Sequence, residues 1–202
     1  MGLANFQPSR RFGLTDNPQI ATFATAGQSW TLGALVNWAA AGTISECAGN
    51  TANGVVVNTI AGIASSPFTP AITASGGTVI GQETVPAVGG GTSISAPRRA
   101  FYPARALITY IGTIDTSGSP GATGLALADL GATFALNSVN AALALVASGG
   151  TWIVNRTGTT KAAIVFALVD PPGAKTTDTP NLGAGNSGQS LVEFALLTGT
   201  QF

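Results

Sequence analysis

Histidine is absent, cysteine occurs once, and charged side chains make up only 8% of the 202 residues. Each absence excludes chemistry. Without histidine there is no Ser-His-Asp triad, no Cys-His pair and no histidine metal site. Cys47 alone forms no intrachain disulfide and no cysteine zinc site within one chain. A lone thiol in an apolar stretch reads as a small buried hydrophobe rather than a nucleophile. Eight Lys+Arg balance eight Asp+Glu, and a net charge of zero speaks against nucleic acid as the main partner.

The low charge also constrains the surface. A folded monomer of 20.0 kDa exposes about 8,700 Å² by the area law, or about one charge per 540 Å². Ordinary soluble domains carry roughly 25% charged residues. Most of this exterior must therefore be Ser, Thr, Asn, Gly, Ala and aliphatic side chains, which keep copies apart poorly. A neutral secreted protein would have such a surface, but a subunit that works inside an assembly fits it better. The run from Cys47 to Gln82 has no charge, yet Asn50, Asn53, Asn58, Pro67 and Pro70 interrupt it too often for a lipid span. The start, Met1 to Phe6, lacks the basic and apolar regions of a signal peptide. Phe6 also sits where myristoylation requires Ser or Thr. The expectation is a protein made in the cytoplasm, with no membrane partner.

What the chain does have is 27 glycines, 11 prolines and many short β-type runs. Residues 1–18 hold Pro8, Pro18 and the Arg10-Arg11 pair without helical or strand period, and read as an extended N-terminal arm. Strands are expected at Gln19–Thr25, Leu32–Trp38, Val55–Ala64, Thr78–Val88, Ala100–Ile111, Thr133–Leu136, Leu143–Ala147, Trp152–Asn155, Ala162–Val169 and Ser190–Leu197. Gly/Pro/Ser/Asn clusters separate them, and Asn53-Gly54 is a hairpin signal. This spacing predicts an all-β domain over 19–202, a sandwich or barrel of short, mostly antiparallel strands. Leu125–Ala147 is the one helix candidate, weakened by Gly131, Thr133, Asn137 and Val139 to at most a short helix. Residues 97–103 are the expected seam between two halves.

No motif carries catalysis. Gly183 to Gly188 matches G-x-G-x-x-G, but no helix pattern follows and the acidic partner is missing. The carboxylates are scattered, and Asp115, Asp170 and Asp178 stand in turn sequences where Asp caps local backbone. Asn155-Arg156-Thr157 is a glycosylation sequon by pattern only. No enzyme, cofactor, metal or small-molecule substrate is expected. Trp30, Trp38 and Trp152 are expected in the core, although a sugar-binding platform would use the same residue type. Arg10, Arg11, Arg98 and Arg99 lie beside Phe6, Phe12, Phe101 and Tyr102. Arg and aromatic side chains are enriched at interface cores, which makes these eight residues candidate subunit or capsid contacts.

Gly33-Ala-Leu-Val-Asn-Trp38, Gly42-Thr-Ile44 and Ile60–Ala64 in the first half, and Phe134–Asn137, Gly150–Asn155, Ala162–Val169 and Val192-Glu-Phe194 in the second, form a pattern of spacing along the chain. The arrangement beyond residue 18 resembles the small β-rich capsid decoration (cement) proteins of tailed double-stranded DNA phages. The resemblance implies a homotrimeric subunit on the outer surface of a virion capsid, clamping neighbouring copies of the major capsid protein. Two alternatives stay open: a carbohydrate- or receptor-binding β-sandwich of a phage tail or fibre, and a self-assembling shell or tube subunit.

Overall fold

Segments rich in β-branched and aromatic residues, each only four to seven residues long, leave little choice but to pair edge to edge. The computed structural model describes residues 5–9, 20–23, 30–39, 43–50, 52–55, 59–65, 98–104, 108–115, 125–140, 144–170 and 190–197. Within them the chain is nearly all β, as a five-stranded barrel and a second sheet.

The barrel is built from β7 (Thr109–Asp115), β8 (Thr133–Val139), β9 (Thr151–Asn155), β10 (Ala163–Leu168) and β11 (Leu191–Leu196). The order is β7-β11-β10-β8-β9, and a parallel pairing of β7 with β9 closes the ring at Ile114↔Val154 and Asp115↔Asn155. Closure removes the open sheet edges that would otherwise template aggregation. Registers place Tyr110, Phe194, Val165, Phe134, Leu136, Val154 and Trp152 on one face, and all are buried.

The second sheet has the order β2 (Ile20–Phe23), β6 (Arg98–Pro103), β5 (Ile60–Ala64), β3 (Leu35–Trp38) and β4 (Ile44–Glu46), all antiparallel. Its strand β5 is buried throughout, and its apolar side chains share one core with those of the barrel. Residues 98–103, within the expected seam at 97–103, form an internal strand of this sheet. The chain passes to the barrel only after Ala104, where Tyr110 donates its hydroxyl to the Pro103 carbonyl at 3.0 Å.

Residues 5–9, read as part of a separate arm, are extended but docked: β1 (Gln7–Pro8) pairs with β7, and Ser9 N–H donates to the Thr109 carbonyl at 2.8 Å. Phe6 lies against Gly112, where an added Cβ would come within 2.5 Å of the Phe6 ring, so the close approach requires glycine. The helix candidate resolves into a 3-10 turn at Leu127–Asp129 followed by strand β8. Gly131, at φ +75, breaks the helix, and the β-branched Thr133 and Val139 favour the pleated state. Leu143–Ala147 supplies no strand among its described residues, only a bridge from Leu145 to Val139. The Asn53-Gly54 turn forms, and among the described residues it joins no hairpin. Its backbone docks on the barrel, with Thr160 N–H donating to Asn53 O at 2.8 Å and Val55 N–H to Leu136 O at 3.2 Å. The expected strand Thr78–Val88, the glycine motif 183–188 and the rest of the arm lie outside the described residues.

Candidate functional site

Among the described residues, the Arg/aromatic candidates do not gather into one exposed surface. Phe6 and Phe101 are buried within the chain, which removes both as contacts in this fold. Phe6 packs edge-on against Phe194, and Phe101 stands opposite Ala64 in β5 with Trp38 across its ring at 5.5 Å. Both were attractive because aromatics anchor interfaces, yet the same apolar area anchors a core. Arg99 and Tyr102 are half-buried on β6, and Arg98 continues that strand opposite Phe23. Arg10, Arg11 and Phe12 lie outside the described residues.

An exposed apolar face stands elsewhere, where the 3-10 turn meets β10. Leu127, Leu130, Phe166, Leu168 and Val169, with Asp170 at the rim, line an open groove of about 550 Å³. Leu127 is 69% exposed, Phe166 53%, Leu130 44% and Val169 41%. Local chemistry holds these side chains out. Asp129 is buried under the turn, where it accepts the Ala126 N–H at 2.8 Å and pairs with Arg156. The turn is tied to β10 by Gly131 N–H to Val165 O at 2.9 Å and Val165 N–H to Ala132 O at 3.1 Å. With Asp129 fixed beneath, the two leucines flanking it project to solvent. A β-bulge between Val165 and Ala167 leaves Phe166 without a partner in the register with β11. Val165 stays in the core while Phe166 faces out, a re-aiming that bulges commonly produce.

Sequence reasoning missed this face, though a signal was present. A strand with one wet face should alternate apolar and polar residues, whereas Ala162–Val169 is apolar at every position.

Three of the carboxylates in the described residues are engaged in structure. Glu193 accepts the Thr109 hydroxyl at 2.7 Å, and Asp170 accepts the Leu191 N–H at 2.6 Å. Glu46 accepts the Gly149 N–H at 2.9 Å and the Trp152 indole N–H at 3.1 Å. Burial pushes the Glu46 carboxyl up from its ordinary range, although both hydrogen bonds oppose the shift. Burial, with the neighbouring Glu46 charge, likewise pushes the Cys47 thiol up, so it stays protonated and behaves as the hydrophobe expected. Among the described residues no group of three His, Cys, Asp or Glu side chains is placed to hold a metal ion.

The sequon asparagine is a structural group. Asn155 Nδ2 donates to Asn137 Oδ1 at 2.9 Å, and Asn155 Oδ1 accepts from Thr157 N–H at 2.8 Å. Of the three tryptophans, Trp30 and Trp152 are buried as expected, but Trp38 is 44% exposed at the end of β3. Among the described residues the groove's lining is apolar apart from Asp170, whose carboxylate accepts the Leu191 N–H. Comparison with family models, with curated proteins and with solved structures finds no match.

Proposed function

We propose that this chain is a structural virion protein that binds the outer surface of a phage capsid and stabilises the shell by bridging neighbouring major capsid subunits. The observation that supports this reading is the apolar groove around Phe166 in a chain whose surface carries so little charge. The four exposed side chains amount to roughly 400 Å², within the range of the largest patch on typical monomers, which is often functional. A stable one-to-one complex buries about 800 Å² per partner, so this face alone would bind weakly. Weak contacts become secure when one particle presents several at once, because linked sites act through effective concentration. A homotrimer on a repeating lattice meets that condition. With few charges at hand, affinity would rest on apolar burial and vary little with salt.

The reading is tested by mixing purified protein with empty capsids of the phage whose genome encodes it. Wild-type protein should sediment with the shells at low and high salt, and Phe166→Glu should not. Equal sedimentation of both proteins would remove the groove from the account, and sedimentation of neither would remove the capsid.

A glycan-binding module is the second reading, favoured by the exposed ring of Trp38. It requires that isolated protein bind a glycan array and that Trp38→Ala abolish the binding.

A further inference from the structure

Strand β10 has a partner on both sides over only part of its length. On the β8 side the ladder joins Ala163 to Phe134 and Ile164 to Thr133. It ends at Val165, whose N–H donates to Ala132 O at 3.1 Å and whose carbonyl accepts the Gly131 N–H at 2.9 Å. Gly131, at φ +75, is where the chain swings from the 3-10 turn into β8, so β8 runs no further along β10. On the β11 side pairing continues past the bulge to Ala167 and Leu168, and Val169 N–H donates to Leu191 O at 3.0 Å. In an antiparallel ladder the backbone groups of successive residues point to alternate sides. With Val169 turned to β11, the N–H and carbonyl of Leu168 point the other way, into the gap beside the turn. Among the described residues neither group has a partner.

Open sheet edges template unwanted pairing and are commonly blunted by charge or proline. Phe166-Ala167-Leu168-Val169 carries neither. Charge begins at Asp170, whose carboxylate is taken by the Leu191 N–H. The gap is the groove already described, walled across from β10 by Leu127 and Leu130. Unpaired backbone and an apolar trough therefore lie side by side.

A second copy of this chain fits the trough poorly. Its barrel would have to come alongside an edge over which the leucine-bearing turn stands. A twofold pairing centred on Leu168 would also set each Asp170 opposite the other copy's Phe166. A single extended segment needs only the spacing of one strand, about 4.8 Å.

We propose that the edge of β10 at Leu168 takes up an extended segment of a major capsid subunit as an added strand, paired through the Leu168 N–H and carbonyl. Peptide capture at a sheet edge works this way: main-chain bonds supply affinity, and pockets for alternate side chains supply specificity. The segment should be uncharged and apolar at every second residue, because those side chains would meet Leu127, Leu130 and Phe166. That the donor is the capsid rests on the function proposed above; that the edge is open does not.

The test is amide hydrogen exchange, read residue by residue by NMR on the full chain, free and bound to the same empty capsids. Bound protein is released into exchange-quenching solvent before reading. In the free chain the Val165 and Val169 amides should be protected, while the Leu168 amide exchanges as an unbonded one. On the shells, Leu168 exchange should slow about tenfold or more, the protection that one new hydrogen bond of ordinary net strength gives. A Leu168 amide as protected as Val169 in the free chain would overturn the open edge. Protein retained on the shells with unchanged Leu168 exchange would overturn the added strand and leave the capsid role standing, carried by side chains alone. Protein that the shells do not retain would remove the capsid role and the added strand with it.

Discussion

The ring of Phe6 meets the ring of Phe194 edge-on, with centroids 4.8 Å apart and planes at 66°. A residue from the first ten is thereby built into a barrel whose strands begin only at Thr109. The Tyr110 ring also meets Phe194, at 5.9 Å, so the contact is part of a buried aromatic cluster.

Gly112→Ala should eject Phe6 from this cluster. The new methyl would meet Phe6 Cδ1 at 2.5 Å and Phe194 Cε1 at 3.0 Å. Overpacking of this kind costs about 1–3 kcal/mol, and denaturant unfolding should show a loss in that range. Residues 5–9 should also become accessible to protease. An unchanged midpoint with an intact N-terminus would mean that Phe6 is not held there.

Asn137 links two buried partners, donating to the Gly49 carbonyl and accepting from Asn155. Asn137→Ala strands the Asn155 Nδ2 donor, while the Gly49 carbonyl keeps the Ser138 N–H. Leaving a buried polar group unsatisfied costs about 1–3 kcal/mol, so the variant should unfold at clearly lower denaturant than wild type. A change under about 0.5 kcal/mol would contradict the buried ladder.

Glu46 gives a pH dependence of unusual sign. A carboxyl raised by burial favours the folded state in acid, whereas salt-bridged carboxylates do the reverse. Stability of wild type minus that of Glu46→Gln should therefore fall as pH rises from 4.5 toward neutrality, read as the difference in thermal midpoints. A difference that is flat or rises with pH would contradict the assignment.

Trp38 should dominate quenching by acrylamide, since Trp30 and Trp152 are 3% and 0% exposed. Trp38→Phe should leave emission that the quencher barely reaches. Strong residual quenching in the variant would mean that the buried rings are accessible.

How far the sequence carried is clearest at particular elements. The strands around Trp152, Val165 and Phe194 were legible because β-branched and aromatic runs end at Gly, Pro or Asp turns. Closure of the barrel was not, because the parallel contact of Ile114 with Val154 joins strands forty residues apart and leaves no local mark. Residues 125–147 were legible through their exceptions: Ala and Leu suit a helix, but Gly131 and the β-branched positions limit it to a short turn followed by a strand. The contact residues were the least legible. Aromatic rings at Phe6 and Phe101 look alike in sequence whether they anchor a core or a partner, and only the register of β6 and the docking of β1 show which. Phe166 lay inside an expected strand, and the bulge that turns it outward depends on pairing with β11.

Phe166→Glu separates surface from core at that bulge. The substitution places a charge on an exposed face and should change stability by less than about 0.5 kcal/mol, measured by denaturant unfolding. A large loss would show that Phe166 packs inside.

The proposed virion role is tested most directly by the abundance of this chain in gradient-purified virions, quantified by mass spectrometry against the major capsid protein. The account predicts many copies per particle, retained through high-salt washing, and a sharp loss when the genome carries Phe166→Glu. Absence of the chain from purified particles, with all of it left in the soluble lysate, would contradict the proposed role.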